Sequence, residues 1–256
     1  MTEVGPGDPA LELRGLVKGF RGRRLVHALA LAVPRGSLFG LVGPNGAGKT
    51  TTLSMATGLL RPDGGTARVL GHDVWADPAA AKAAMGVAPD GMRLFEQLSG
   101  RELLLYVGAL RRMPVDVTAA RAAELLAVLD LAEDASTVVA DYSAGMVKKI
   151  SLAAALIHAP RLLVLDEPFE AVDPVSGQTI RTILRRYVAS GGTVVMSSHV
   201  MELVEGLCDR VAVIAGGRVL AEDTIGGLTR GGSLHDRFLE LVGATDSAGK
   251  GLTWLG

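Results

Sequence analysis

The sequence predicts an α/β fold: a mixed sheet with flanking helices, an antiparallel β subdomain beside it, and a helical subdomain inserted midway along the chain. Three observations lead there. Strand signals cluster toward both ends, whereas residues from about Ser99 to Ala159 repeat apolar side chains at helical spacing. The strand candidates "SLFGLVG" and "RLLVLDE" are short, nearly continuous apolar runs, the pattern of strands covered on both faces. Hydrophobic residues make up 48% of the 256 and mean hydropathy is +0.33, ample for a sizeable core.

In chain order, "ALELRGLVKGF" and "LVHALALAV" read as strands around a turn rich in Arg and Gly. "SLFGLVG" is a strand that runs into a glycine-rich loop, with helical character after Gly48. "GGTARVLG" is a strand punctuated by glycine at both ends, and "MGVAP" is a brief strand stopped by Pro89. Ser99 and Glu102 form a capping box that opens the first helix of the insert. "TAARAAELLAVLDL" continues it, and "MVKKISLAAALIHA" places Ile150, Ala153 and Ile157 on one face. Strand signals return in "RLLVLDE", "GTVVMSSH" and "RVAVIAGGRVLAE", with a helix from Pro174 between the first two. The expected boundaries are a core of residues 11–90 and 160–228 within a domain of 1–228, a helical subdomain of 91–159, and a short helix with a fraying tail over 229–256.

The 26 Lys and Arg against 27 Asp and Glu give a net charge of −1, so no basic excess points to nucleic acid. The single cysteine, Cys208, excludes an internal disulfide and fits a reducing compartment. The start lacks the charged-then-apolar pattern of a signal peptide, and no apolar run approaches the ~18–20 residues that cross a bilayer. The expectation is a chain that is soluble or is held at a membrane by another protein.

"GPNGAGKT" fits G-x-x-x-x-G-K-[ST] between a strand and a helix. It runs through Gly43, Pro44, Asn45, Gly46, Ala47, Gly48, Lys49 and Thr50, with Thr51 next in the helix. Glycines let the backbone curl so that its N–H groups point at phosphate oxygens, and the helix N-terminus adds positive potential at the same spot. Lys49 can reach the β- and γ-phosphates, and the Thr50 hydroxyl can face Mg²⁺. The second half of a Mg–ATP site is an acid ending an apolar strand, supplied by Asp166 in "LLVLDEP". Glu167 is placed to polarise an attacking water. His199 ends a third buried-type strand, where an α/β core puts its ligand edge, and a γ-phosphate contact suits it. In "DYSAGMVKK", Ser143 and Gly145 open a helix. That turn reads either as an ordinary serine cap or as a cradle for a phosphate from outside the motif. Lys148 and Lys149 are disfavoured near a helix start.

These residues resemble the nucleotide-binding subunit of an ATP-binding-cassette (ABC) transporter, over about Leu11 to Leu228. The most specific part is "YSAGM", similar to the family signature Leu-Ser-Gly-Gly-Gln and likewise upstream of the acidic strand end. The resemblance implies a phosphate-loop (P-loop) ATPase core with ATP and Mg²⁺ as cofactors. It also implies head-to-tail packing with a second ATP-binding subunit, a copy or a close homologue, so that Ser143 and Gly145 of one complete the ATP site of the other. It assigns Phe20 to adenine stacking, Asp173 to communication across the dimer, and His199 to the switch histidine. Asp173 before Pro174 also suits an N-cap. Lys49, Glu167 and His199 are the expected catalytic groups, with Thr50, Asp166 and Asp90 toward the metal.

Two departures stand out. Where the family usually has a glutamine after the "MGVAP" strand, this chain has Asp90, which accepts hydrogen bonds but cannot donate as an amide does. Its charge near the γ-phosphate is expected to slow hydrolysis or raise the Mg²⁺ requirement. Ala144 and Met146 replace a glycine and the glutamine of the signature. The expected function is an ATP-hydrolysing subunit whose dimer closure drives a separate membrane permease. The branch resembled is that of two-gene exporters, and the expected location is cytoplasmic, peripheral on the inner face of the cell membrane. The competing readings are a soluble ABC ATPase acting on DNA or ribosomes, disfavoured by a short insert, a single cassette and balanced charge, and a catalytically impaired cassette.

Overall fold

The computed structural model describes residues 8–91 and 94–243. The start of the chain and the stretch 244–256 expected to fray lie outside the described residues. The elements in order are β1 (Leu11–Phe20), β2 (Arg23–Val33), β3 (Leu38–Val42), α1 (Lys49–Ala56), β4 (Gly64–Val69), β5 (His72–Asp73), α2 (Pro78–Ala84), β6 (Met85–Ala88), α3 (Gly100–Leu110) and α4 (Val115–Val128). There follow α5 (Ala144–Leu156), β7 (Leu162–Leu165), α6 (Pro174–Ala189), β8 (Thr193–Ser198), α7 (Met201–Leu207), β9 (Arg210–Ala215), β10 (Arg218–Thr224), α8 (Ile225–Thr229) and α9 (Leu234–Val242).

Among the described residues the strands form two sheets, as the sequence predicts. One is four-stranded, in the order β2-β1-β4-β5 with antiparallel pairings. The other is six-stranded, in the order β10-β9-β3-β8-β7-β6. It is parallel except where β10 pairs antiparallel with β9 at the edge. Successive side chains of its inner strands go to opposite faces. Leu163, Leu165, Val194, Met196, Val211 and Val213 enter one buried cluster, which the helices from α3 to α6 share. Phe39, Leu41, Leu162, Val164, Val195, Ala212 and Ile214 enter the other, shared with β1, β2, β4 and α1. Both faces are covered, which is why these strands read as unbroken apolar runs.

Level register places the functional edge. Val42 pairs with Ser198, Leu165 with Met196, and Ala88 with Leu165. The C-terminal ends of β3, β6, β7 and β8 therefore finish side by side, where ligands bind in such sheets.

The helical stretch forms as expected. Ser99 and Glu102 make the reciprocal cap of α3, and Ile150, Ala153 and Ile157 are fully buried. Short elements escaped the sequence reading. Asp77 caps α2 ahead of Pro78, and α7 and α8, of seven and five residues, span two turns or fewer, too few for an apolar period to repeat. "RVAVIAGGRVLAE" is a hairpin turning at Gly216 and Gly217, not one strand.

His158, just past α5, ties that helix to β6. Its Nε2 lies 3.0 Å from the Met85 carbonyl, which it meets as a donor, while the buried Nδ1 has no partner. Burial, with Arg111 and Arg121 nearby, lowers its pKa from 6.5 to about 4. The unfolded chain thus binds a proton that the folded chain refuses, so stability falls as pH drops from 6.5 through about 4. Replacing His158 with Gln flattens that slope in urea midpoints measured across the window. Parallel curves for parent and variant would assign the acid sensitivity to other groups.

Candidate active site

The loop of residues 43–48 leaves β3 and turns into α1. A Cβ at Gly43 would collide with the Ile214 carbonyl. Gly48, at φ 101°, starts the helix from the left-handed region. No side chain caps α1, so its first N–H groups are directed to whatever enters the loop. The Lys49 ammonium is buried beneath and donates to the Gly43 carbonyl at 2.7 Å.

Across the cleft, the end of β7 carries Asp166 and Glu167. Asp166 is 5% exposed and accepts a hydrogen bond from the Ser197 hydroxyl. The same hydroxyl accepts the backbone N–H of Glu167 at 2.9 Å. One residue of β8 therefore braces both acids. Sequence reasoning missed Ser197, because its partners lie 31 and 30 residues away and only the parallel register of β7 and β8 brings them together. Glu167 sits at φ 47°, a strained conformation for a residue with a Cβ and one that surrounding contacts must hold. Its carboxylate is 12% exposed, with Oε1 3.5 Å from Lys49 Nζ and Oε2 3.0 Å from His199 Nδ1.

A cleft of about 420 Å³ is lined by Pro44 through Thr51, Asp90, Glu167 and His199, together with Leu25 and Glu170, which the sequence reading did not single out. Phe20 is not among the lining residues. It ends β1, 44% exposed, with the Lys18 ammonium 5.4 Å from its ring centre. Asp173 caps α6 through the N–H groups of Ser176 and Val175, and bonds at Ser176 and Val175 hold its carboxyl below the usual range. Ser143 caps α5, accepting from Met146 N at 3.3 Å, and Gly145 lies beside the Ala171 carbonyl. Neither Ser143 nor Gly145 lines the cleft of its own chain.

Asp90 does line the cleft, but its carboxylate has a partner. Lys148 of α5 donates to Asp90 Oδ1 at 2.7 Å and to the Glu167 carbonyl at 3.1 Å. The negative charge expected to oppose the γ-phosphate is therefore balanced locally.

A glycine-rich loop after β3, a buried lysine, and two acids closing β7 define a nucleotide-binding P-loop ATPase. Known proteins narrow that class. The sequence model of the ABC transporter family matches residues 26–170, more than half of the chain. The chain is 42% identical to the daunorubicin/doxorubicin resistance ATP-binding protein DrrA of Streptomyces peucetius, over 86% of this chain and 66% of that protein. It is 36% identical to the linearmycin resistance ATP-binding protein LnrL of Bacillus subtilis, over 84% of this chain and 69% of that protein. It is 39% identical to the Nod factor export ATP-binding protein I of Rhizobium sp., over 83% and 70%. The matched region thus spans about two thirds of these relatives' length. Among solved structures, an ATP-binding subunit of an ABC transporter superposes with TM-score 0.85 at 27% identity, covering 91% of this chain and 99% of that one. The dimeric, ADP- and Pi-bound cassette MJ0796 shares the fold, with TM-score 0.78 at 20% identity over 84% and 98%. The chain belongs to the ABC transporter family, as an ATPase cassette that binds nucleotide.

Proposed function

We propose that this chain is the ATP-hydrolysing subunit of an exporter, that two cassettes close on two ATP molecules, and that the closure drives a separate membrane permease. The observation that carries the reading is the Glu167 carboxylate held between Lys49 and His199 at the phosphate loop. Loop N–H groups and Lys49 bind the phosphates. Lys49 turns from Glu167 toward the γ-phosphate, which frees Glu167 to take a proton from the attacking water. His199, with Nδ1 3.0 Å from the same carboxylate, orients it.

Mg²⁺ fits the donor set. The Thr50 hydroxyl and the Asp166 carboxylate are hard oxygen donors, one just after the loop and one at the end of β7 on the same sheet edge. No group of three or more His, Cys, Asp or Glu side chains able to hold a metal occurs among the described residues. That sparseness suits an ion held by one or two protein oxygens together with phosphate and water. When bound, it neutralises charge on the phosphate oxygens. Asp90 is engaged by Lys148, which favours Thr50 and Asp166 as the holding pair and removes the motive for reading the cassette as impaired.

The export direction is supported by the relatives, whose names carry drug resistance and Nod factor export. No helix among the described residues is long and apolar enough to cross a membrane. On this reading the cassette sits on the cytoplasmic face, attached through its permease, with Ser143 and Gly145 completing the second subunit's site. Phe20 stacks on adenine, and Asp173 serves the dimer contact while capping α6. On the same reading residues 11–90 and 160–228 form the core of the cassette, and the helical stretch 91–159 faces the permease. Purification from detergent-solubilised membranes tests this. The expected result is a complex with one integral membrane protein and ATPase activity that depends on that protein in liposomes. ATPase activity confined to the soluble fraction and indifferent to any membrane protein would contradict it.

A further inference from the structure

We propose that Lys148 and Asp90 are positioning residues for Glu167, and that their ion pair aims a strut from α5 onto the backbone of the catalytic carboxylate. The proposal rests on reading Glu167 as the general base. A single ammonium joins three elements here. Lys148 lies in the second turn of α5, Asp90 follows Pro89 at the end of β6, and Glu167 follows β7. Both backbone polar groups of Glu167 meet side chains: its N–H donates to Ser197 at 2.9 Å, and its carbonyl accepts from Lys148 at 3.1 Å beside the local Glu170 N–H at 3.2 Å. Those bonds fall on a residue at φ 47°, a backbone that reverts unless its surroundings over-determine it.

The strut also explains two oddities of the sequence. A lysine in the first turns of a helix opposes the helix dipole, yet here its head reaches away from that helix to two partners. An aspartate replaces an amide at the exit of β6, and it supplies the anion that directs a flexible, three-donor ammonium toward one carbonyl. Stability does not account for the pair, because Asp90 is 40% exposed and exposed pairs contribute little. Lys148 is five residues from Ser143 on the same helix. Any shift of α5 when Ser143 meets the second subunit's nucleotide is therefore transmitted to Glu167.

Steady-state ATPase measurements on the full chain test this, with Lys148→Ala, Asp90→Ala, the double variant and Lys148→Arg. Each single alanine variant is expected to lower kcat about tenfold, the effect of losing one charge-assisted hydrogen bond. KM, and affinity for a fluorescent ATP analogue, stay at the parent values. The double variant falls no further than either single one, and Lys148→Arg restores most of the rate. The Mg²⁺ concentration for half-maximal rate is unchanged by Asp90→Ala. Losses that multiply in the double variant would overturn the proposal. So would a loss expressed in KM, or a shifted Mg²⁺ requirement, which would make Asp90 a metal ligand. Thermal melts exclude unfolding, and Asp90→Asn, nearly isosteric, supplies a second variant with an intermediate rate. Glu167→Gln in the same assay separates the two layers: parent-like turnover there removes the general base itself, whereas its failure with intact Lys148 variants removes only the strut.

Discussion

Replacing Glu167 with Gln lowers ATP turnover by about a thousandfold and leaves nucleotide binding intact. The size follows from the loss of a general base, which contributes roughly 10²- to 10⁴-fold. The amide has nearly the same shape, so Ser197 still meets the backbone N–H, and His199 still has an oxygen within reach. What disappears is the charge that accepts the proton and, in the free site, competes for Lys49 at 3.5 Å. ATP binding is therefore equal to the parent or tighter, and the variant accumulates as a closed dimer. Phosphate release, a fluorescent-nucleotide titration and size-exclusion chromatography with ATP report the three quantities. Hydrolysis at the parent rate would transfer the role of base to another group.

Lys49→Ala has the second large effect, and it differs in kind. Loss of one preorganised donor at a developing charge costs about 10²- to 10³-fold in rate. Here the loss also extends to binding. Lys49 is 6% exposed and supplies the cation beside a carboxylate that is itself 12% exposed. Removing it leaves Glu167 charged in the cleft with His199 as its remaining side-chain partner, and that charge then repels the phosphates. Turnover and affinity fall together, whereas Glu167→Gln separates them. Lys49→Ala that keeps parent affinity with only kcat reduced would show that loop N–H groups alone bind the triphosphate.

The parts of the site that were legible in the sequence are those that local chain order dictates. A glycine-rich loop between strand and helix, acids closing "RLLVLDE" and a histidine closing "GTVVMSSH" all lie at strand ends, and parallel register brings strand ends to one edge. The fold class followed from the same signals, since Leu163 and Val164 face opposite clusters and so cannot alternate with polar residues. What stayed hidden depends on contacts between distant segments. Ser197 meets Asp166 across 31 residues, and Lys148 meets Asp90 across 58. No spacing rule connects such pairs. Asp90 read alone is an uncompensated charge, and only its neighbour in space changes that reading. Among the elements, α2 and α7, at seven residues each, are too brief for periodicity to show.

On the proposed reading, Ser143 and Gly145, which do not line the cleft of their own chain, complete the phosphate site of a second subunit. Cross-linking of a double variant, Asn45→Cys with Ala144→Cys, tests it most directly, because both positions are exposed. Cys208 does not interfere: it is buried, and burial with Asp209 nearby pushes its thiol up and keeps it inert. In a Glu167→Gln background with saturating Mg–ATP, a short bifunctional maleimide is predicted to join two chains through 45 and 144, and not to do so without nucleotide. Chains that stay uncrosslinked at saturating ATP, or that crosslink equally in its absence, would contradict the shared site.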